Sequence, residues 1–201
     1  MNQRQLSAYR INEIFYSLQG EGIRVGTPNI FIRFAGCNLK CTRQIEGFDC
    51  DTEFASGMDM TAQDILNMIG KYPCKNIILT GGEPSLQIDT ALIQSLKTEG
   101  YYLAIETNGT EQLPDGIDWV CCSPKTAEHT LRVGKVDELK YVRDVGQGIP
   151  KPILKADHYL ISPAWHPEGL HPETLHHCME LVKQNPRWRL SAQYHKVWSI
   201  R

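Results

Sequence analysis

No stretch of this 201-residue chain approaches the ~20 consecutive apolar residues that a membrane-spanning helix requires. Its first ten residues, Met1 to Arg10, are polar and lack the apolar centre of a secretory signal. Neither charge sign dominates: 21 Lys and Arg against 23 Asp and Glu leave a formal charge of −2, which gives no basic footprint for nucleic acid. Internal repeats, low-complexity tracts and linkers are missing as well. With 41% hydrophobic content the chain suffices for one well-buried core and is short for two. The expectation is a single cytoplasmic domain over 1–201, with no membrane and no nucleic-acid partner.

Cysteine, by contrast, is plentiful. There are seven, an odd number, and in a reducing compartment clustered cysteines signal metal or redox chemistry more often than disulfides. Cys37, Cys41 and Cys50 crowd the segment Gly36 to Thr52, directly after the apolar run Asn29 to Phe34. Such a run reads as a buried strand, so the thiols are presented from the loop at its C-terminal end, where parallel α/β enzymes keep their chemistry. A four-iron cluster with three protein thiolates has one iron open to a substrate or cofactor. The remaining Cys74, Cys121, Cys122 and Cys178 read as buried or partly buried small hydrophobes.

Along the chain, apolar β-branched runs alternate with helical patterns. Strands are predicted at Ile11–Phe15, Asn29–Phe34, Asn76–Thr80, Tyr101–Glu106, Trp119–Ser123, Glu138–Val142, His158–Ser162 and Arg189–Gln193. A helix begins at the capping pair Thr61 and Asp64 and carries Ile65, Leu66, Met68 and Ile69 on one face; others span about Asp89–Thr98, before Gly100, and Pro172–Gln184. This alternation predicts a parallel sheet with crossover helices. A complete eightfold barrel takes ~250 residues, and this chain gives part of its length to a loop at about 36–60, so an incomplete TIM-like barrel fits better.

A second chemical segment is Ile77-Ile-Leu-Thr-Gly-Gly-Glu-Pro-Ser85, in which paired glycines remove Cβ from the path of an approaching ligand and Glu83 offers a carboxylate to a cationic amino group. Ile105-Glu-Thr-Asn-Gly-Thr110 and Cys122-Ser-Pro-Lys-Thr126 place small polar groups at further strand ends. Gly20-Glu-Gly22 with Gly26 superficially suggests a phosphate loop, but neither Lys-Ser, Lys-Thr nor a helix follows. His166, His171, His176 and His177 read as solvated surface, because adjacent helical histidines point about 100° apart.

The cysteine loop followed by Thr80-Gly-Gly-Glu-Pro84 resembles the radical S-adenosylmethionine superfamily. More narrowly, Ile14-Phe-Tyr-Ser-Leu-Gln-Gly-Glu-Gly22, Phe31-Ile-Arg-Phe-Ala-Gly-Cys-Asn-Leu39, Cys50-Asp-Thr52, Ser123-Pro-Lys125 and Trp188-Arg-Leu-Ser-Ala-Gln-Tyr-His-Lys196 resemble the 7-carboxy-7-deazaguanine synthase family, over nearly the whole chain. The resemblance implies a partial barrel of the radical S-adenosylmethionine type and a carbon-nitrogen lyase. Its members contract 6-carboxy-5,6,7,8-tetrahydropterin to 7-carboxy-7-deazaguanine with loss of ammonia, on the route to queuosine. It also implies a [4Fe-4S] cluster on Cys37, Cys41 and Cys50, S-adenosylmethionine, and magnesium at Thr52. Contacts to S-adenosylmethionine fall on Gly82, Glu83, Ser123, Pro124, Lys125, Ser162, Pro163, Ala164 and Trp165. Substrate contacts fall on Leu18, Gln19, Gly20, Arg33, Thr80, His195 and Arg201. A flavodoxin or ferredoxin as electron donor and a homodimer are implied too.

The chemistry of these side chains suits those roles. Arg33 has a planar fork for a carboxylate, a charge-assisted contact of ~1.5–3 kcal/mol, and hard magnesium accepts a threonine hydroxyl beside substrate oxygens. The chain departs from the family between Cys41 and Cys50: the usual connection of two residues is here eight, Thr42 to Asp49, with Asp49 where an aromatic residue is usual. The longer loop adds roughly 1.2 kcal/mol of closure entropy, which cluster ligation is expected to exceed. Its polar excursion, with Ile45 and Phe48 packing back, is expected to tune electron-donor access. A glycyl-radical activase and a zinc-binding structural module remain the alternatives at this point.

Overall fold

The computed structural model describes residues 8–42, 49–50 and 52–201. Apart from its end residues Thr42 and Asp49, the expected excursion lies outside the described residues, as does Asp51.

Among the described residues nine strands form one sheet: β1 Ala8–Leu18, β2 Pro28–Phe34, β3 Met58–Thr61, β4 Asn76–Gly81, β5 Tyr102–Thr107, β6 Trp119–Cys122, β7 Val136–Arg143, β8 Ala156–Pro163 and β9 Trp188–Leu190, in the order β3-β1-β2-β4-β5-β6-β7-β8-β9. Every ladder from β2 to β9 is parallel. The sheet ends at β3 and β9 without closing, so the architecture is an open, incomplete barrel. The expected all-parallel arrangement needs one correction: β1 runs antiparallel to both β2 and β3. Only residues 19–27 join β1 to β2, fewer than the dozen or more a parallel crossover needs. The long loop also contains the short strand β3, and the last predicted strand ends at Leu190, earlier than expected.

Among the described residues the α-helices are α1 Ala62–Ile69, α2 Thr90–Thr98, α3 Pro172–Gln184 and the short α4 Tyr194–Val197. Thr61 and Asp64 form a reciprocal capping box, and the Asp89 carboxylate accepts from the Leu92 amide at 2.8 Å. Gly100 ends the second crossover at φ +76°, a conformation that favours glycine. One sheet face buries Ile30, Ile32, Phe34, Ile77, Leu79, Leu103 and Ile105 with Ile65, Ile69, Leu92, Ile93 and Leu96 of the crossover helices. Each such side chain contributes ~1.5–3 kcal/mol by leaving water. The residues alternating with these, among them Arg33, Thr80 and Glu106, face the opposite way and line cavities.

Candidate active site

The cysteine loop leaves the C-terminal end of β2 and is gripped by the turn after β4. The Gly82 amide donates to the Phe34 carbonyl at 3.1 Å and the Glu83 amide to the Gly36 carbonyl at 2.9 Å. A Cβ on Gly82 would lie 2.0 Å from the Gly36 carbonyl oxygen, and one on Gly81, at φ +132°, 2.2 Å from that of Phe34. The paired glycines therefore admit the chain itself: the space a Cβ would fill holds the backbone that carries Cys37. Glu83 is fully buried and ties two strand ends together, accepting from Ser85 Oγ at 2.5 Å, Thr107 Oγ1 at 2.7 Å and the Asn108 amide at 2.7 Å. Asn108 Nδ2 then donates to Asn38 Oδ1 at 3.0 Å, and Asn38 Nδ2 to Thr110 Oγ1 at 2.8 Å, which fixes the residue after Cys37.

Cys37, Cys41 and Cys50 line one cavity of about 220 Å³, together with Gly82, Glu83, Ser123, Lys125, Ser162, Pro163 and Trp165. The Leu39 amide donates to Cys37 Sγ at 3.4 Å, and the Cys50 amide to the Cys41 carbonyl at 3.3 Å. Among the described residues no three His, Cys, Asp or Glu side chains are grouped to hold a single metal ion. Three thiols on one wall, one already receiving an amide, fit a multi-iron cluster with one open iron.

A larger cavity of about 540 Å³ adjoins it, lined by Gln19, Arg33, His195, Arg201 and others. The two share Glu21, Thr52, Thr80, Glu106, Lys140 and Gln193, and so adjoin one another along that common wall. Lys140 stands at the junction, its Nζ 2.7 Å from Glu21 Oε2 and 3.1 Å from Glu106 Oε2. Burial alone would raise the Glu21 pKa, but Lys140, with smaller contributions from His195 and Gln193, brings it down to about 2. Burial likewise works against the charge of Lys140, yet its surroundings hold it well above the ordinary lysine value. We attribute that rise to Glu106 and Glu21 rather than to Cys121, whose buried thiol is itself pushed well above its usual range and stays neutral. Gln19 Nε2 donates to Glu106 Oε1 at 3.1 Å, and Gln193 Nε2 to Glu21 Oε1 at 3.1 Å.

The profile of a 4Fe-4S single cluster domain matches residues 18–111. The chain is 48% identical over 193 residues to the 7-carboxy-7-deazaguanine synthase of Bacteroides thetaiotaomicron, covering 96% of this chain and 98% of that protein. It is 38% identical to the enzyme of that name from Bradyrhizobium diazoefficiens, covering 96% and 100%. The chain belongs to the 7-carboxy-7-deazaguanine synthase family. Its fold matches the crystal structure of QueE from Escherichia coli with a TM-score of 0.69 at 25% identity, over 92% of this chain and 94% of that one.

Residues matched to this synthase family fall mostly around the adjoining cavities. Of the expected substrate contacts, Gln19, Arg33, Thr80, His195 and Arg201 line the larger one. Leu18 is exposed at its strand end. Gly20 instead seats the C-terminal segment: its carbonyl accepts from the Tyr194 amide at 2.9 Å, and a Cβ there would meet His195 Nδ1 at 2.4 Å. Of the expected S-adenosylmethionine contacts, Pro124 lines a neighbouring recess with Glu128 and Tyr141, and Ala164 is buried with its amide on the Arg143 carbonyl. Thr52 lines both cavities. The expectation of solvated histidines is corrected for His166. It is 8% exposed, stacked on His171 with ring centroids 4.0 Å apart, and its Nε2 lies 3.1 Å from Oδ2 of Asp144, just after β7.

Sequence reasoning passed over Glu13, Glu21, Glu106, Lys140 and Gln193. A signal for Lys140 was present: Glu138 and Lys140 interrupt the apolar run of β7 at alternate positions, placing both on one face.

Proposed function

We propose that this chain converts 6-carboxy-5,6,7,8-tetrahydropterin to 7-carboxy-7-deazaguanine with release of ammonia, as a radical S-adenosylmethionine lyase. The observation that carries the reading is the adjacency of the two cavities, one lined by three thiols and the other by Arg33, His195 and polar strand ends. Cys37, Cys41 and Cys50 would hold the [4Fe-4S] cluster, and Gly82, Ser123, Lys125, Ser162 and Trp165 would hold S-adenosylmethionine. When bound, these groups supply a carbon-centred radical that takes hydrogen from the substrate.

The protein's own task is placement and exclusion of water. Arg33 receives the substrate carboxylate, and Gln19, Thr80 and His195 contact the pterin. Lys140 and its two carboxylates give the floor between the cavities fixed donors and acceptors. Such preorganised groups need no reorientation as the rings rearrange. Magnesium at Thr52 is supported by the hydroxyl's place between both cavities and by the ion's preference for oxygen. The family resemblance supports a flavodoxin or ferredoxin donor and a homodimer.

The test is anaerobic turnover of reconstituted protein with dithionite, magnesium, S-adenosylmethionine and the tetrahydropterin, followed by mass spectrometry. Formation of 7-carboxy-7-deazaguanine is expected. Consumption of S-adenosylmethionine without that product would reject the substrate assignment.

A further inference from the structure

We propose that Glu13 is a positioning residue that sets two guanidinium groups, those of Arg33 and Arg201, as a carboxylate clamp at one end of the larger cavity. The inference deepens the reading of a carboxylated pterin substrate and rests on it.

Glu13 of β1 lies directly opposite Arg33 of β2 in the antiparallel ladder, so both side chains leave the same face of the sheet. The register slips between Ile11 and Glu13, the kind of irregularity that re-aims a strand's side chains. One carboxylate then serves two cations. Arg33 Nε donates to Glu13 Oε1 at 2.9 Å, and Arg201 donates through Nη2 to Glu13 Oε2 at 2.7 Å. Both guanidinium carbons also stand over the Phe15 ring, 6.0 Å and 5.4 Å from its centroid. Phe15 is itself fixed by stacking on Phe31, with ring centroids 4.9 Å apart and planes 4° from parallel.

Arg201, though its side chain is 73% exposed, is therefore held at two points, and its backbone at a third, where Ser17 Oγ donates to the Arg201 carbonyl at 2.7 Å. Two features make the assembly a receptor. Each guanidinium gives Glu13 one donor, and a guanidinium has five. Because Glu13 occupies Arg33 Nε, the edge of that guanidinium left for a ligand is the Nη1/Nη2 pair, which fixes the direction from which a carboxylate docks bidentately.

Equilibrium binding of 6-carboxypterin and of unsubstituted pterin to the cluster-loaded protein, followed by fluorescence, reads out the carboxylate preference. Unsubstituted pterin serves as the internal control for folding, since its affinity should not change. Wild type should prefer 6-carboxypterin. Arg33→Lys should reduce the preference about tenfold, or ~1.4 kcal/mol, and Arg201→Gln about threefold. Glu13→Gln makes the wall more positive by one charge, yet should also reduce the preference, because both guanidinium groups lose their orientation. In turnover it should raise KM with kcat retained. A stronger preference in Glu13→Gln would mean that Glu13 only competes with the ligand and would overturn the proposal, as would a preference indifferent to all three changes. Preference for 6-carboxypterin without conversion of the tetrahydropterin would retire the proposed reaction and leave the clamp standing.

Discussion

Lys140→Met keeps the length and most of the volume of a buried side chain while removing the ammonium that Glu21 and Glu106 share. The magnitude follows from Glu21, whose pKa stands at about 2 against an ordinary 4.5. A depression of that size corresponds to about 3 kcal/mol. Because the folded value is lowered, the stabilisation is fully present above about pH 4.5 and is lost as the pH falls towards 2. Removing one partner of a buried ion pair costs ~3–5 kcal/mol by general experience, which agrees. At pH 7 the variant should melt roughly 6–12 °C below wild type, taking ~2–4 °C per kcal/mol for a chain of this size. Thermal unfolding monitored by circular dichroism at pH 7 and pH 3 is the assay. By pH 3 less than half of the deficit should remain, and Glu21→Gln combined with Lys140→Met should recover part of it at pH 7. A variant melting within ~2 °C of wild type at pH 7, or an equal deficit at both pH values, would refute the assignment of Lys140 as the charge that holds these carboxylates.

Gly82→Ala should fold yet fail to retain iron on reconstitution, because its Cβ would stand 2.0 Å from the Gly36 carbonyl oxygen and displace the cysteine loop; full iron content would contradict this. Thr52→Ala should lose most of the stimulation of turnover by magnesium while keeping its iron, measured by activity with and without the ion; undiminished stimulation would remove Thr52 from the metal site. Glu138, pushed up to about 6 by burial and the neighbouring Glu106, weakens the fold as it ionises between about pH 4.5 and 6. Glu138→Gln should therefore gain about 2 kcal/mol on wild type between pH 4 and pH 7, read from paired melting curves; a pH-independent difference would show that Glu138 does not titrate in the folded state.

The strands that carry the chemistry were legible because their apolar alternation is strong and because Thr61, Asp64 and Asp89 mark helix starts by local hydrogen bonding. The direction of β1 was less legible, since alternation is the same whichever way a strand runs and only the short connection 19–27 carries the distinction. At the site, Cys37, Cys41, Cys50 and Arg33 announced themselves by residue type and position. Lys140 and Glu21 did not: they lie 119 residues apart, and a charge inside a strand reads as a surface residue until its partner is known. Gly82 was noticed for its missing Cβ, but a sequence does not show that the backbone of Gly36 stands in that space.

Between Ser17 and Arg201 the separation along the chain is 184 residues, yet the two are hydrogen-bonded, and Tyr194 rests on Gly20 in the same way. A ribosome therefore delivers the three thiols and the glycine turn that grips them long before it delivers His195 and Arg201. The nascent chain has its cysteine loop while two residues of the larger cavity's lining are still unsynthesised. In the finished protein the same order means that a protease cutting after Ala192 would separate the segment bearing His195 and Arg201 without touching the cysteine loop. On the proposed assignments, such a clipped chain keeps the three cysteines and loses two of the residues that line the larger cavity.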